Sequence, residues 1–323
     1  MKRETHESNI VGTTIKVKLP LTYEEDYYGN PLNSSIRDRI EHLYNSYALF
    51  NPHASFNYYH SDIDTHEELT THTQDVIAEP AWRKFYPFDF PAPSWYDFDG
   101  FKNLIFAHIN SDNIKPFGTF IREFKGLSAS GKAKGISKRF KDVTTIADLT
   151  EENITDLLAA MKEATKPPLP SVLGIIGKDN LSKRIADLYP IEVFWYKKID
   201  GYAGILPFVV EAIAATTSAE IGREIYTGLN FAPSYDDPFK DSWFEFRNSN
   251  THIGGMGLDG LLRQLKVYEK DDFIFVLHVT TPVFAFRDRA KSTVFLRGEI
   301  GTAIAEVAYA CCRVVQSQKA QRT

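Results

Sequence analysis

FIFVLHVTTPVFAFRDRAKSTVFLRGEIGTAIAEV, residues 273–307, joins three different kinds of segment. Its opening run, 273–279, is almost wholly apolar and rich in β-branched residues. That predicts a strand covered on both faces rather than an alternating surface strand. Pro282 ends it, because proline brings no N–H to a ladder. The stretch Arg287-Asp288-Arg289-Ala290-Lys291-Ser292 is polar and basic, as a loop would be. Beyond it Ile300, Ile304, Val307 and Ala308 recur at helical spacing and mark one apolar face. A lysine on a loop anchored by a rigid strand and a rigid helix is placed to meet a phosphate as a compact point charge. A solvated surface lysine is the other reading of Lys291.

Working outward, strands are expected at 191–196 and 208–215, and helices at 181–188, 257–268 and 299–316. Strands interleaved with helices predict an α/β layer. The prolines at 167–170 form a stiff boundary before it. On the other side of that boundary, 97–166 reads as a compact helical module with helices at 98–109, 116–124, 132–140 and 151–162. Thr150 is the expected N-cap of the last, with Glu151 and Glu152 at its positive end. Farther back, 32–50 reads as a helix with Ser34 or Ser35 as N-cap. Its apolar stripe is Ile36, Ile40, Leu43, Tyr44 and Tyr47. Residues 12–21 alternate as a half-buried strand does, 54–59 reads as a short strand, and 60–93 as irregular chain. The aromatic run at 85–96 is expected to pack between elements rather than to stack on bases.

The chain has 323 residues, 43% hydrophobic and 24% charged, with a net charge of −5. That balance excludes a disordered tail and a generic nucleic-acid binder. No apolar run reaches the roughly 18 residues of a membrane span, and the N-terminus has no apolar h-region, so a cytoplasmic setting is expected. The two cysteines, Cys311 and Cys312, are adjacent on a helical pattern and read as core residues of a reducing compartment. Charge is unevenly placed. Between 122 and 141 lie Arg122, Lys125, Lys132, Lys134, Lys138, Arg139 and Lys141, against the single acid Glu123. That block is the electrostatic candidate for a phosphate backbone, with a solvated basic face as the alternative. Within it Gly126-Leu127-Ser128-Ala129-Ser130-Gly131-Lys132 has Walker A spacing. Ala133 stands where a magnesium-holding Ser or Thr is required, and a helix rather than a strand precedes, so a P-loop is not expected. The spacing of His60, His66 and His72 does not place them on one helical face, and no metal is expected there. Gly254-Gly255-Met256-Gly257 follows no clean strand, which excludes a dinucleotide fingerprint. No nucleophile with its base declares itself.

Several segments occur in a familiar order: GTTIKVKLPL (12–21), NPHA (51–54), LTEEN (149–153), KPPLPSVLGIIGKDNL (166–181), PFVVEA (207–212), YTGLNFAP (226–233) and the VTTP…AKS…EIGTAI block (279–304). In that order the chain resembles the B subunit of DNA topoisomerase VI, the type IIB enzyme, from about Gly12 onward. The resemblance implies an α+β to α/β multidomain chain. Residues 1–92 would hold the last strand and helix of a GHKL ATP-binding domain plus a linker. Residues 93–166 would form a helix-two-turns-helix-like module, and 167–323 a transducer domain of the ribosomal S5 domain 2-like kind. The GHKL glutamate, magnesium-binding asparagine and glycine-rich lid motifs do not precede Gly12, so the chain is expected to be one half of a split B subunit or a truncated one, with ATP and Mg in a GHKL portion that is separate or missing. By resemblance Lys291 is the switch-loop lysine that reaches the γ-phosphate, although Arg-Ala-Lys replaces the gyrase-type Gln-Thr-Lys. The module would meet double-stranded DNA through Arg122, Lys125, Lys132, Lys134, Lys138 and Arg139. No catalytic residue is expected in this chain, because the cleaving tyrosine and its metal site belong to the A subunit. The implied setting is a nucleoid-associated hetero-oligomer with a topoisomerase VI A-like subunit. A non-catalytic DNA-binding or assembly scaffold that kept this architecture is the rival expectation.

Overall fold

The structure, a computed structural model, describes residues 33–61, 68–85, 91–234, 236–289, 291–296 and 298–322. The chain divides into two units, Met1–His42 and Leu43–Thr323. The described part of the first is the opening of helix α1 (Asn33–Phe50), which continues into the second. The strand expected at 12–21 lies outside the described residues. α1 begins at Asn33, so Ser34 and Ser35, expected as N-cap, lie inside the helix instead.

The second unit is built on a five-stranded sheet. Its strands are β3 (Ile191–Ala203), β4 (Leu206–Thr217), β5 (Arg223–Leu229), β6 (Ala232–Pro233) and β9 (Phe273–Thr280), in the order β3-β4-β9-β5-β6. All neighbours are antiparallel except β9 and β5, which run parallel. Every residue of β4 and of β9 is buried. This is why both read as continuous apolar runs: each is central and covered on both faces. On one face Val210, Ala212, Phe275 and Leu277 pack against Ile304, Ala308 and Cys311 of α8 (Gly298–Arg322). On the other, Ile213, Ala215, Ile274 and Val276 pack against Leu181 and Ile185 of α6 (Lys178–Leu188) and Phe50 of α1. Burial pushes the Cys311 thiol up to about 12 and Cys312 upward as well, so both are inert core residues, as their helical placement suggests.

The parallel β5–β9 pair needs a crossover. It is supplied by the hairpin β7 (Trp243–Arg247) and β8 (His252–Met256), followed by α7 (Gly257–Gln264). The glycine run at 254–257 therefore lies on β8 and at the start of α7. The sequence hid this hairpin because β7 and β8 are short and β8 carries two glycines in place of β-branched residues. Gly255 packs directly on the backbone of Gly260, where a built Cβ would stand 2.4 Å from a carbonyl carbon, so no larger residue fits. The helix expected at 257–268 stops at Gln264, and Lys266 turns back with φ 59°.

The helical module has its own core of Phe101, Phe120, Phe124, Ile136, Leu157 and Met161. Its helices are α2 (Phe98–Asn110), α3 (Phe117–Arg122), α4 (Ser130–Ser137) and α5 (Glu151–Glu163). All four are legible in the sequence to within a few residues. Thr150 caps α5 as expected and does so reciprocally: Asn153 N donates to Thr150 Oγ1 at 3.2 Å, and Thr150 N donates to Asn153 Oδ1 at 3.2 Å. Thr150→Ala is expected to lower the unfolding free energy by about 1 kcal/mol. Guanidinium unfolding monitored by circular dichroism measures this, and no change in midpoint would show that the cap carries no stability.

Residues 60–93, expected to be irregular, contain strand β2 (Glu68–Gln74), paired antiparallel with β1 (Phe56–Ser61). The signal missed was ELTTHTQ, whose threonines favour a pleated strand without supplying an apolar alternation. The described aromatics of the 85–96 run pack as expected: Phe85 and Trp95 meet edge to face at 6.0 Å, and Tyr96 meets Phe101 and Phe124. Residues 86–90, His66, and the side chains of His60 and His72 lie outside the described residues. Among the described residues no group of His, Cys, Asp and Glu is placed to hold a metal, and no helix is long and apolar enough to cross a membrane.

Candidate functional site

The distinctive chemistry of the sheet lies on its α6 face. Glu211 of β4 and His278 of β9 are direct cross-strand partners and are 0% and 1% exposed. Each is the lone titratable residue in an otherwise apolar buried strand, so each requires partners. His278 Nδ1 lies 2.8 Å from Glu211 Oε1, and Phe231 N donates to His278 Nε2 at 3.1 Å. Because Nε2 accepts from Phe231 N, Nδ1 is the ring's donor toward Glu211. Ile176 N donates to Glu211 Oε1 at 2.7 Å, Gly177 N to Oε2 at 3.0 Å, and the Tyr196 hydroxyl to Oε2 at 2.9 Å. The carboxylate thus closes the N-terminus of α6, where backbone N–H groups and the helix dipole favour a negative charge. Burial pushes its pKa up, but the bonds from His278, Ile176 and Gly177 outweigh burial and hold it below the ordinary glutamate value.

The network continues to α1. Asn51 Nδ2 donates to Phe231 O at 3.1 Å, and Lys84 Nζ donates to Asn51 Oδ1 at 2.8 Å. Asn230 and Phe231 form the two-residue turn between β5 and β6, with φ of 49° and 67°. Such a turn favours glycine at its second position. A phenylalanine is tolerated because its ring is wholly buried, edge to face with Trp82 at 5.7 Å and 4.6 Å from the His278 ring. Gly228, paired with His278 in register, leaves room for Phe50: a Cβ there would sit 2.5 Å from the Phe50 ring. Residues from NPHA, LGIIGKDN, PFVVEA, YTGLNFAP and LHVTTP thus meet in one hydrogen-bonded junction. Sequence reasoning singled out those segments but did not find the Glu211–His278 pair. The available signal was one acid and one imidazole, each alone inside a buried strand.

Lys291 lies on a loop between β10 (Ala285–Phe286) and β11 (Val294–Phe295). Asp288 organises this loop. Its carboxylate accepts from Ser292 N at 3.1 Å, Ser292 Oγ at 3.0 Å and Thr293 N at 2.9 Å, and its carbonyl accepts from Lys291 N at 3.2 Å. Lys291 is exposed, has φ 58°, and holds its ammonium 5.9 Å from the Phe286 ring centre. No carboxylate pairs with it among the described residues.

The basic residues at 122–141 are all exposed, but they are not equivalent. Arg122 bonds back to Gly118 O, and Arg139 lies 3.7 Å from Glu163. Lys132 Nζ donates to Ala164 O at 2.8 Å and so satisfies the C-terminal end of α5. Lys125, Lys134 and Lys138 make no side-chain bond among the described residues. Lys134 and Lys138 lie one turn apart, beside Gly131 and Gly135, where an added Cβ would meet nothing within 4 Å. This leaves an open, basic face with little side-chain bulk. No hydrogen bond or ion pair joins it to the Lys291 loop among the described residues.

No protein-family model matches the chain, and no curated protein does. Among solved structures, the B subunit of DNA gyrase from Myxococcus xanthus aligns with a TM-score of 0.27 and 10% identity. The alignment covers 41% of this chain and 37% of that one, so the chain spans little more than a third of the gyrase subunit. A likeness that small supports no statement about fold or function.

Proposed function

We propose that this chain is the transducer part of a type IIB topoisomerase B subunit. It couples the ATP state of a GHKL portion, which holds ATP and Mg, to DNA cleavage and strand passage by a topoisomerase VI A-like subunit. In this reading Lys291 contacts the γ-phosphate, the four-helix module acts as the helix-two-turns-helix element, and its basic face meets duplex DNA. The supporting observation is the junction just described. The segments that carry the family resemblance are far apart in sequence, yet they close one buried network between the central strands, α1 and α6. A fold element kept rigid in this way can carry a displacement from a loop at the end of β9 to the helices on its other face. Lys291 suits its role in this reading, being exposed, without a carboxylate partner among the described residues, and held by a loop that Asp288 ties together.

A charge-assisted contact to phosphate is worth about 1.5–3 kcal/mol net. It therefore shifts a two-state arrangement by roughly 10- to 150-fold. Lys291→Ala is expected to change folding stability by no more than about 0.5 kcal/mol, since truncation removes no core packing. It should abolish closure driven by a non-hydrolysable ATP analogue in a reconstituted assembly with a GHKL chain, read by an inter-domain distance probe. Equal closure of wild type and variant at saturating analogue would remove Lys291 from the switch. A wild type that stays open while the GHKL chain binds nucleotide would favour the non-catalytic scaffold.

A further inference from the structure

We propose that the cleft beside the Lys291 loop is a binding site for a small aromatic anion. The cleft has a volume of about 530 Å³, within the range of sites that enclose a small molecule. Trp95 and Tyr96, at the entry to the helical module, line it together with Phe284 and Phe286 from the segment after β9. Such an aromatic lining suits a planar apolar body, which it meets by stacking or edge contact.

The polar groups point to the charge of the occupant. Among the described residues no acidic one lines the cleft; Lys291 and Ser234 do. The Lys291 ammonium meets only the Phe286 ring, and the Ser234 hydroxyl has no hydrogen-bond partner among the described residues. Asn230, another polar lining residue, is clamped to Thr281: its amide donates to Thr281 O at 2.9 Å and accepts from Thr281 N at 3.0 Å. That clamp ties the β5–β6 turn to the end of β9, so this wall is already in place before a ligand arrives. The resulting environment is electropositive, rich in donors and aromatic, which fits a one- or two-ring molecule bearing a carboxylate, sulfonate or phosphate.

The cleft is formed by this chain alone, so its occupancy does not depend on the topoisomerase reading. If both hold, an anion in the cleft occupies the same ammonium that the γ-phosphate requires.

The test uses the whole chain and two dyes, anionic 8-anilinonaphthalene-1-sulfonate and uncharged N-phenyl-1-naphthylamine, titrated by fluorescence. Wild type is expected to bind the sulfonate at one saturable site. Lys291→Glu, an exposed position, should weaken the sulfonate about 10- to 100-fold and leave the neutral dye unchanged. Ala232→Trp, which fills the cleft from its exposed rim, should remove both dyes. Circular dichroism of both variants checks that the fold is kept. Sulfonate affinity unchanged in both variants places the dye elsewhere and overturns the proposal. Loss in Ala232→Trp alone overturns it too, because the anion would then contribute nothing. Equal loss of both dyes in Lys291→Glu counts against it in the same way, since charge would not be the cause.

Discussion

Glu211→Gln is expected to destabilise the second unit by roughly 3–5 kcal/mol. The substitution keeps size and shape, so the effect isolates the carboxylate. Four donors converge on Glu211: Ile176 N, Gly177 N, Tyr196 Oη and His278 Nδ1. Glutamine offers one oxygen and one NH2 group. Whichever way the amide turns, its NH2 faces a fixed backbone N–H, from Ile176 or from Gly177. Tyr196 can rotate its hydroxyl to accept; a backbone N–H cannot. His278 cannot exchange tautomers either, because Phe231 N already donates to its other nitrogen. Replacing a buried ionic group by an apolar one is sometimes neutral. Here two of the donors belong to the main chain: an apolar replacement would leave both unpaired, and glutamine leaves one. A thermal melt should show a drop of roughly 6–20 °C. A melt within a degree or two of wild type would mean that the junction contributes no stability.

The same residue sets a pH dependence. The folded state holds Glu211 below the ordinary glutamate value. A depressed carboxyl pKa contributes stability above the unfolded value and loses it as pH falls toward the folded one. Wild type should therefore weaken as pH drops below about 4.5. The Gln variant, already deprived of that charge, should show a shallower acid slope. Parallel slopes for the two proteins would assign acid unfolding to other carboxylates.

The sequence made the central strands and the four helices of the module legible for a simple reason. β4 and β9 are apolar on both faces, and α5 begins with a Thr cap and two glutamates, so local pattern and tertiary place agree. It failed where structure depends on a partner far away in the chain. β5 was not recognised because REIYTGL is neither wholly apolar nor cleanly alternating, and its strand state comes from pairing with β9 some fifty residues later. The Glu211–His278 pair was invisible for the same reason: each residue alone looks like a stray polar group in a strand. Lys291 and the basic residues were found as types, but their standing was decided by neighbours. Lys132 belongs to the end of α5, whereas Lys134 and Lys138 are unengaged.

That distinction sharpens the largest binding effect expected. Reversing Lys134 and Lys138 to Glu together should weaken duplex DNA binding by at least about tenfold near 50 mM salt. It should also reduce the slope of log affinity against log salt by about two, one for each phosphate no longer neutralised. Lys134 on α4 and Lys138 just past its end are exposed, one turn apart, and hold no internal bond, so their reversal leaves the Phe120–Ile136–Leu157 core untouched. Lys132 is the informative control. Lys132→Glu removes the bond to Ala164 O and places a carboxylate against carbonyls at a helix C-terminus, which is unfavourable for the fold itself. Its expected signature is lost stability, whereas the double reversal on α4 changes affinity at constant stability. Gly131 and Gly135 add a geometric reason for close approach: they leave the backbone of α4 bare on either side of Lys134, at a cost of up to about 1 kcal/mol each against alanine. Replacing both by alanine should stabilise the module while weakening DNA binding if a phosphate backbone lies against that face. If the salt slope is unchanged by the double reversal, and the alanine pair stabilises without affecting binding, then the basic block is a solvated surface and the module meets DNA elsewhere or not at all.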